Sequence, residues 1–229
     1  IQEPLIWIPG RSSEKLKPSE LKAYKAELKK MREQCLVEKA LDQKEAAKMA
    51  EMEWGNAEDP NASTEQPHPY LTKKAVGCHG LKLQGCKLLV PLRNLYGEMT
   101  SLQKINEDGG KRFLAGGQIE GCFHQFGEEP EKVLCIAEGY VTAATIHQAT
   151  GHAVAVAFNA GNLISVSKGL REKYPETKLI ICVDDDWKTE GNPGLTKAKE
   201  AAEGAEGYLA IPRFSSNRGD KDTDFNDLQ

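Results

Sequence analysis

Residues 133–139 read VLCIAEG, and residues 179–186 read LIICVDDD. In both stretches an apolar run of strand length is followed directly by acidic residues, and such a run predicts a buried β-strand. Helical segments separate these strands along the chain, and strand–helix alternation predicts a parallel sheet covered by helices, an α/β fold. Because ligands usually bind beyond the carboxyl ends of such strands, the acidic residues stand where a binding site is expected.

The elements predicted around these two stretches continue the alternation toward the end of the chain. Asn162 and Asn192 are the expected N-caps of two helices, and Pro193 suits the first turn of the second. The strands are expected at 133–137, 153–158, 179–183 and 208–211, and the helices at 142–150, 163–174 and about 193–202.

The segment from residue 70 to residue 126 has a different pattern, in which short β-like runs are separated by glycine-containing turns. We expect these runs to form a small antiparallel sheet with hairpins. They lie at 88–92, 100–105, 111–114 and 122–126.

Two further segments precede this region. Residues 56–69 are polar, contain three prolines and lack periodicity, which indicates a linker. From about Pro18 to Trp54, apolar residues recur at steps of three and four, which predicts one long helix or a helical hairpin with Gly55 as its C-terminal cap. We interpret it as a packing arm or linker helix; a partner-binding coiled coil is the alternative, although two turns of heptad give it little support.

The bulk composition limits the class of protein. The chain has 229 residues, of which 39% are hydrophobic and 28% are charged, as in ordinary globular proteins. It has no apolar run of about 18 residues, so we expect no transmembrane helix and no membrane partner. The start lacks a signal-peptide pattern and an initiator Met, so we expect a fragment of a longer protein. The six cysteines form no secreted disulfide pattern, which favours the reducing cytoplasm.

The charge is unevenly distributed. The net charge of -4 argues by itself against nucleic-acid binding, because such proteins are often basic. However, residues 70–127 contain eight Lys and Arg against four Asp and Glu, which leaves 22 of the 30 basic and 30 of the 34 acidic residues elsewhere. A basic segment beside an acidic one suits a protein that binds phosphates with one part and a metal ion with the other.

Acidic residues form three motifs. Glu138 follows the first strand of the predicted sheet, and Asp184 and Asp186 follow the third; residues 222–227, DTDFND, lie near the chain end. Taken separately, Glu138 could be a charge at a helix N-terminus, the aspartates at 184–186 a solvated turn, and the residues near the chain end a disordered polar tail. Carboxylates at neighbouring strand ends would repel one another, and a divalent cation with oxygen ligands removes that repulsion. Asp184 and Asp186 alternate along an extended segment, so both can point the same way while Asp185 points away.

The strand-end motifs, Glu-Gly followed by Asp-x-Asp, resemble the TOPRIM domain. That domain is shared by DnaG-type primases, type IA and II topoisomerases, OLD-family nucleases and recombination-mediator proteins. Longer stretches resemble the primase domains of plasmid and prophage primases or primase-helicases, over about residues 67–229. These stretches are EGYVTA at 138–143, FNAGNL at 158–163, NPG at 192–194, DFNDL at 224–228, HPYL at 68–71, VPL at 90–92 and SLQ at 101–103.

The resemblance implies roles for the acidic residues. Asp184 and Asp186 would hold Mg²⁺ or Mn²⁺, and Glu138 would complete the metal site or act as the general base on the attacking 3′-hydroxyl. Asp224 would be a further ligand, matching an acidic position of an Asp-x-Asn motif in helicase-primases. Two metal ions could then activate the hydroxyl and stabilise the pyrophosphate leaving group.

The resemblance also implies that a basic subdomain before the TOPRIM fold guides the template and the nucleotides. The best candidates for residues that bind phosphates in this subdomain are Lys104, Lys111 and Arg112. Phosphate neutralisation needs cationic side chains but little fixed spacing between them. The alternative for each is an ordinary solvated basic side chain.

The resemblance implies three parts of the chain: a helical arm and linker (1–66), a small basic α+β subdomain that guides nucleic acid (67–130), and a TOPRIM metal-binding catalytic domain (131–229). The implied function is a DNA primase that makes short primers from nucleoside triphosphates on single-stranded DNA.

Other modules of a primase system are missing from this sequence. No Cys-x-x-Cys pair occurs, so we expect no zinc here, and no Walker A motif occurs. A replicative helicase, or zinc-binding and helicase domains of the full-length protein, are the further partners that the resemblance implies.

Alternative functions remain open from the sequence. A TOPRIM nuclease would use the same metal ions to cleave phosphodiesters, although the primase-like upstream segment argues against it. A topoisomerase needs a nucleophilic Tyr on a separate large domain, for which 229 residues leave little room. A non-catalytic nucleic-acid-binding module could lack part of the acidic set, whereas all its positions are filled here.

Overall fold

The computed structural model describes residues 18–60 and 68–229, so half of the linker predicted at 56–69, residues 61–67, lies outside the described residues. The chain divides between Asp42 and Gln43 into two compact units. Helix α1, Pro18–Asn56, is a single helix of 39 residues and not a hairpin, which confirms the predicted N-terminal helix. The expected cap at Gly55 was wrong, because the last turn of the helix continues through this glycine.

A four-stranded antiparallel sheet follows the short helix α2 (Pro69–Lys73). Its strands, in spatial order, are β1 (Lys82–Gln84), β2 (Lys87–Arg93), β3 (Met99–Ile105) and β4 (Lys111–Phe113). The predicted hairpin-linked strands β2, β3 and β4 are confirmed. Strand β1 was not predicted from the sequence.

A five-stranded sheet contains the remaining strands. It has the spatial order β5-β7-β6-β8-β9, with β6 to β9 parallel, which confirms the predicted α/β class. The strands are β5 (His124–Phe126), β6 (Val133–Ala137), β7 (Ala153–Val156), β8 (Lys178–Cys182) and β9 (Tyr208–Ala210).

Strand β5 corrects one sequence prediction. The run at 122–126 was expected in the antiparallel sheet, but His124 lies opposite Val156, so β5 is an antiparallel edge strand of the five-stranded sheet. The two sheets share only an isolated bridge between Arg93 and Phe123 within the described residues. Local alternation defines a strand but not its neighbour, and the buried Phe126 packs into the same core as the side chains of β7.

The parallel sheet is covered on both faces. Helices α3 (Tyr140–Thr150), α4 (Leu163–Lys173) and α5 (Pro193–Gly204) connect its parallel strands. Cys135 belongs to the core that includes α3, and Ile136 to the core that includes α4 and α5, because successive side chains of a strand point to opposite faces. The antiparallel sheet packs into the first core through the apolar side chains of β2.

The two predicted asparagine caps behave differently. Asn192 accepts a hydrogen bond from the Leu195 N–H (3.3 Å), and Pro193 begins α5, as expected. Asn162 also occupies the N-cap position of α4, as expected, but its side chain forms no cap hydrogen bond. Asn162 is buried, and its side chain fastens the loop before β5 to the end of β7. Its amide nitrogen, which carries two N–H groups, lies within 3.1 Å of three carbonyl oxygens, and its Oδ1 accepts from Gly121 N–H. The three carbonyl groups are those of Ile119, Cys122 and Ala157.

The six cysteines are free, and Cys122, Cys135 and Cys182 are buried. In the part of the chain that the structure describes, no helix has both the length and the apolar character needed to cross a membrane.

Candidate active site

The carboxyl ends of the central parallel strands bring the first acidic motifs together. Ala137 and Cys182 lie opposite each other in the register of β6 and β8. Glu138 therefore leaves β6 beside the loop that carries Asp184 and Asp186 after β8. This adjacency is the one expected for neighbouring parallel strands.

The C-terminal segment brings the third acidic motif to the same edge. Asp185 N–H donates to Thr223 O (2.7 Å), so this segment pairs with the loop after β8. The Thr142 hydroxyl of α3 donates to Asp224 Oδ2 (2.7 Å), and Thr142 is only 2% exposed. Buried Asn226 donates to Lys74 O and to the Thr145 hydroxyl, which anchors the segment against α3.

These contacts assemble a carboxylate cluster, which consists of Glu138, Asp184, Asp186 and Asp224. Burial, with the charges of its neighbours, raises the pKa of Asp184 to about 8 from the ordinary 3.8. Burial and the charge of Asp186 also raise the pKa of Glu138. The negative charges are thus close enough to make ionisation of one another unfavourable.

The three consecutive aspartates have different surroundings. Asp184 Oδ1 is buried and finds no hydrogen-bond partner among the described residues. Asp186 Oδ2 accepts from Gly194 N–H in the first turn of α5 (3.2 Å). Asp185 instead accepts hydrogen bonds from Arg218 and Asn192, both 2.6 Å long, as the alternation of side chains along an extended segment predicts.

The close approach of α5 to the aspartate loop requires a glycine. A Cβ atom on Gly194 would overlap the carbonyl group of Asp184 and lie 3.0 Å from Asp186 Oδ2. The absence of a side chain at this position therefore lets the first turn of the helix approach the cluster.

The donor set fits a hard divalent cation. It offers only carboxylate oxygens, one of them buried without a partner, and Mg²⁺ and Mn²⁺ prefer such ligands. Within the described residues, no three His, Cys, Asp or Glu side chains converge as ligands on one point. The cluster thus has the chemistry of a cation site, without a closed cage of protein ligands.

The structure separates the three predicted basic residues. Lys111 lies near the carboxylate cluster and remains exposed at the surface. Partial desolvation lowers its pKa, while the charges of Asp184 and two further cluster members oppose that effect. Lys104 lies opposite Arg112 in the β3–β4 register, so both point to the other face of that sheet. There Lys104 forms an ion pair with Glu53 of α1 (2.5 Å).

The sequence interpretation missed three residues that support the site. Thr142 lies within the quoted 138–143 motif and Asn226 within the 224–228 motif, so both could have been examined as partners of the acidic side chains. Arg218 lies in a polar segment without periodicity, and nothing in that pattern indicates its contact with Asp185.

A comparison with protein families matches residues 132–211 to the Toprim domain. Two DNA primases named TraC from Escherichia coli are similar to this chain. One is 40% identical over 161 residues, covering 66% of this chain and 15% of the relative. The other is 36% identical over 202 residues, covering 83% of this chain and 14% of the relative. The chain thus spans about 15% of the length of these relatives.

A solved structure shares the fold. The primase fragment of the bacteriophage T7 primase-helicase protein superimposes with a TM-score of 0.51, covering 76% of this chain and 73% of that fragment, at 16% sequence identity. At this identity the likeness concerns the fold alone. Together with the sequence matches, it confirms the resemblance that the strand-end motifs indicated. Residues 132–211 therefore form a Toprim domain, in a chain that is homologous to a segment of the TraC DNA primases.

Proposed function

We propose that this chain is the catalytic segment of a DNA primase, a nucleotidyltransferase that joins nucleoside triphosphates into short primers on single-stranded DNA. The observation that carries the proposal is the carboxylate cluster at the carboxyl edge of the Toprim sheet. Homology to TraC primases supports the choice of primer synthesis over other Toprim chemistries.

A pair of divalent cations, Mg²⁺ or Mn²⁺, would supply the electrophilic chemistry when bound. Such cations lower the pKa of a hydroxyl group and offset the charge of pyrophosphate. Asp184, Asp186 and Asp224 are the proposed ligands. Glu138 would complete the set or accept the proton of the attacking 3′-hydroxyl. That oxygen bonds to the α-phosphorus, the bond to the bridging oxygen of the β-phosphate breaks, and pyrophosphate leaves.

The raised pKa values support this assignment. Asp184 holds a proton at neutral pH in the metal-free protein, because its pKa is about 8. A bound dication would release that proton and turn the unpartnered Oδ1 into a ligand. The same cation would favour ionisation of Glu138, whose pKa is raised by burial and by Asp186.

The basic residues would divide the binding of phosphates. Lys111 lies beside the carboxylate cluster, where its ammonium group would bind the triphosphate of the incoming nucleotide. Arg112 is exposed on the other face of the sheet and would bind phosphates of the template. Lys104 would contribute less to template binding, because Glu53 already neutralises it.

We also propose the division of the chain into an arm and linker (1–66), a basic α+β subdomain (67–130) and a catalytic Toprim domain (131–229). A cytoplasmic location suits a replication enzyme with free cysteines. A replicative helicase, or zinc-binding and helicase domains of a longer protein, are the proposed partners.

The test is extension of a preformed dinucleotide on single-stranded DNA by labelled nucleoside triphosphates with Mg²⁺ or Mn²⁺. The dinucleotide removes the need for template recognition by other domains. Short products from the wild type and from Glu203→Ala, a control at an exposed position of α5, but not from Asp186→Ala, would support the proposal. Degradation of the template would identify a nuclease instead, and no extension by any variant would refute a catalytic role for this segment.

A further inference from the structure

Arg218 joins the two acidic loops of the site. Its Nη1 donates to Asp185 Oδ2 (2.6 Å), its Nη2 donates to Asp185 O (2.9 Å), and its Nε donates to Asp222 O (2.9 Å). One planar guanidinium therefore binds the loop after β8 and the C-terminal segment at the same time.

We propose that Arg218 is a positioning residue that sets the distance between Asp184 and Asp186 on one loop and Asp224 on the other. This inference rests on the proposed metal-dependent function. Asp185 lies between the two aspartates of the first loop, and Asp222 precedes Asp224 by two residues. Any displacement of Arg218 would therefore be transmitted over one or two residues to proposed metal ligands.

Aromatic side chains hold the guanidinium in place. The Arg218 guanidinium carbon lies 4.2 Å from the ring centroid of Phe214 and 5.0 Å from that of Trp187. Arginine stacks on aromatic faces while its N–H groups remain free for hydrogen bonds in its own plane. The side chain is only 18% exposed, so its orientation is determined by packing as well as by charge.

A backbone hydrogen bond gives an independent measure of the same junction, by which we mean the contact between the loop after β8 and the C-terminal segment. Asp185 N–H donates to Thr223 O (2.7 Å) between the two loops that Arg218 joins. If the guanidinium holds the loops together, its removal will open this hydrogen bond more often. Exchange of that amide hydrogen in metal-free protein reports the opening without any enzymatic assay.

A lysine cannot replace this residue fully. An ammonium group is a compact charge that could still pair with Asp185, but it lacks the planar fork that reaches two carbonyl oxygens on separate loops. Arg218→Lys should therefore preserve the charge while losing part of the junction, and it is the milder variant if Arg218→Met folds poorly.

The experiment measures Mn²⁺ binding by electron paramagnetic resonance and hydrogen exchange at Asp185, in wild type, Arg218→Met and Arg218→Lys. Arg213→Met is the matched control, since Arg213 is exposed on the same segment and forms no ion pair within residues 18–60 and 68–229. We expect Arg218→Met to weaken Mn²⁺ binding by about 10- to 100-fold, as for other groups that orient metal ligands, and to accelerate exchange at Asp185. For Arg218→Lys, both Mn²⁺ affinity and the exchange rate at Asp185 should lie between those of the wild type and Arg218→Met. The control should match the wild type in both measurements.

The double variant Arg218→Met/Asp185→Asn separates positioning from simple charge neutralisation. If Mn²⁺ binding stays weak in the double variant, the positioning role of Arg218 is supported, because the contacts to the two carbonyl oxygens are still missing. Recovery of Mn²⁺ binding would overturn the proposal, as would unchanged binding and exchange in Arg218→Met. If Asp184→Asn leaves Mn²⁺ binding intact, the metal centre itself is refuted, while exchange at Asp185 still tests the junction.

Discussion

Replacing Asp184 by asparagine should stabilise the metal-free protein, and increasingly so as the pH rises. The pKa of Asp184 is about 8 in the folded protein, against an ordinary 3.8. The folded state therefore binds more protons than the unfolded chain between these values, so the free energy of unfolding falls as the pH rises through this window. Asparagine resembles the protonated carboxyl group and does not titrate.

The magnitude follows from the size of the shift. One group in this window changes the free energy of unfolding by about 1.4 kcal/mol per pH unit, and by less close to the folded pKa. From about pH 5.5 to about pH 7.5 the wild type should therefore lose about 2.5 kcal/mol relative to Asp184→Asn. A buried histidine adds its own pH dependence: burial lowers the pKa of His124 from 6.5 to about 4, so around pH 5.5 the unfolded chain binds a proton there that the folded protein does not. Its contribution is the same in both proteins and cancels in the comparison.

The assay is urea unfolding of both proteins at the two pH values, in the presence of a chelator and a thiol reductant. Adding Mg²⁺ at the higher pH should restore stability to the wild type but not to Asp184→Asn, because a ligand that binds only the folded state stabilises it. Equal pH dependence in the two proteins would refute the view that Asp184 is held protonated by burial and by neighbouring carboxylates.

Three further substitutions test other parts of the site. Thr142→Val should weaken Mn²⁺ binding about 10-fold, since it removes the hydrogen bond to Asp224, a charge-assisted bond worth about 2 kcal/mol. Thr142→Ser should retain this hydrogen bond and the binding. Equal Mn²⁺ titrations for the two variants would contradict the role of the Thr142 hydroxyl in orienting Asp224. Gly194→Ala should abolish measurable Mn²⁺ binding in the same titration, because its Cβ would displace the Asp184 carbonyl group. Gly55→Ala, whose Cβ would meet no atom within 4 Å, should not change the binding. Asn162→Ala should lower the free energy of unfolding by about 2–4 kcal/mol in urea, as it leaves buried carbonyl groups without a donor; a loss below about 1 kcal/mol would argue against this anchoring role.

Local sequence patterns determined the Toprim half of the fold. Apolar runs at 133–137 and 179–183, each with a helix after it, can be buried on both faces only in a parallel sheet covered by helices. Such a sheet brings its strand ends to one edge, so Glu138, Asp184 and Asp186 were predictable as neighbours from their positions alone. Their roles as metal ligands remain proposals.

Tertiary structure decided the arrangements that depend on contacts distant in sequence. Alternation identifies a strand without selecting its partner, which is why β5 was assigned to the wrong sheet. Whether a cation is free or neutralised likewise depends on which element packs beside it: Lys104 pairs with Glu53, 51 positions earlier, while Lys111 lies near the carboxylate cluster. The contact between Arg218 and Asp185 spans 33 residues of chain without any local pattern, so only the folded chain brings them together.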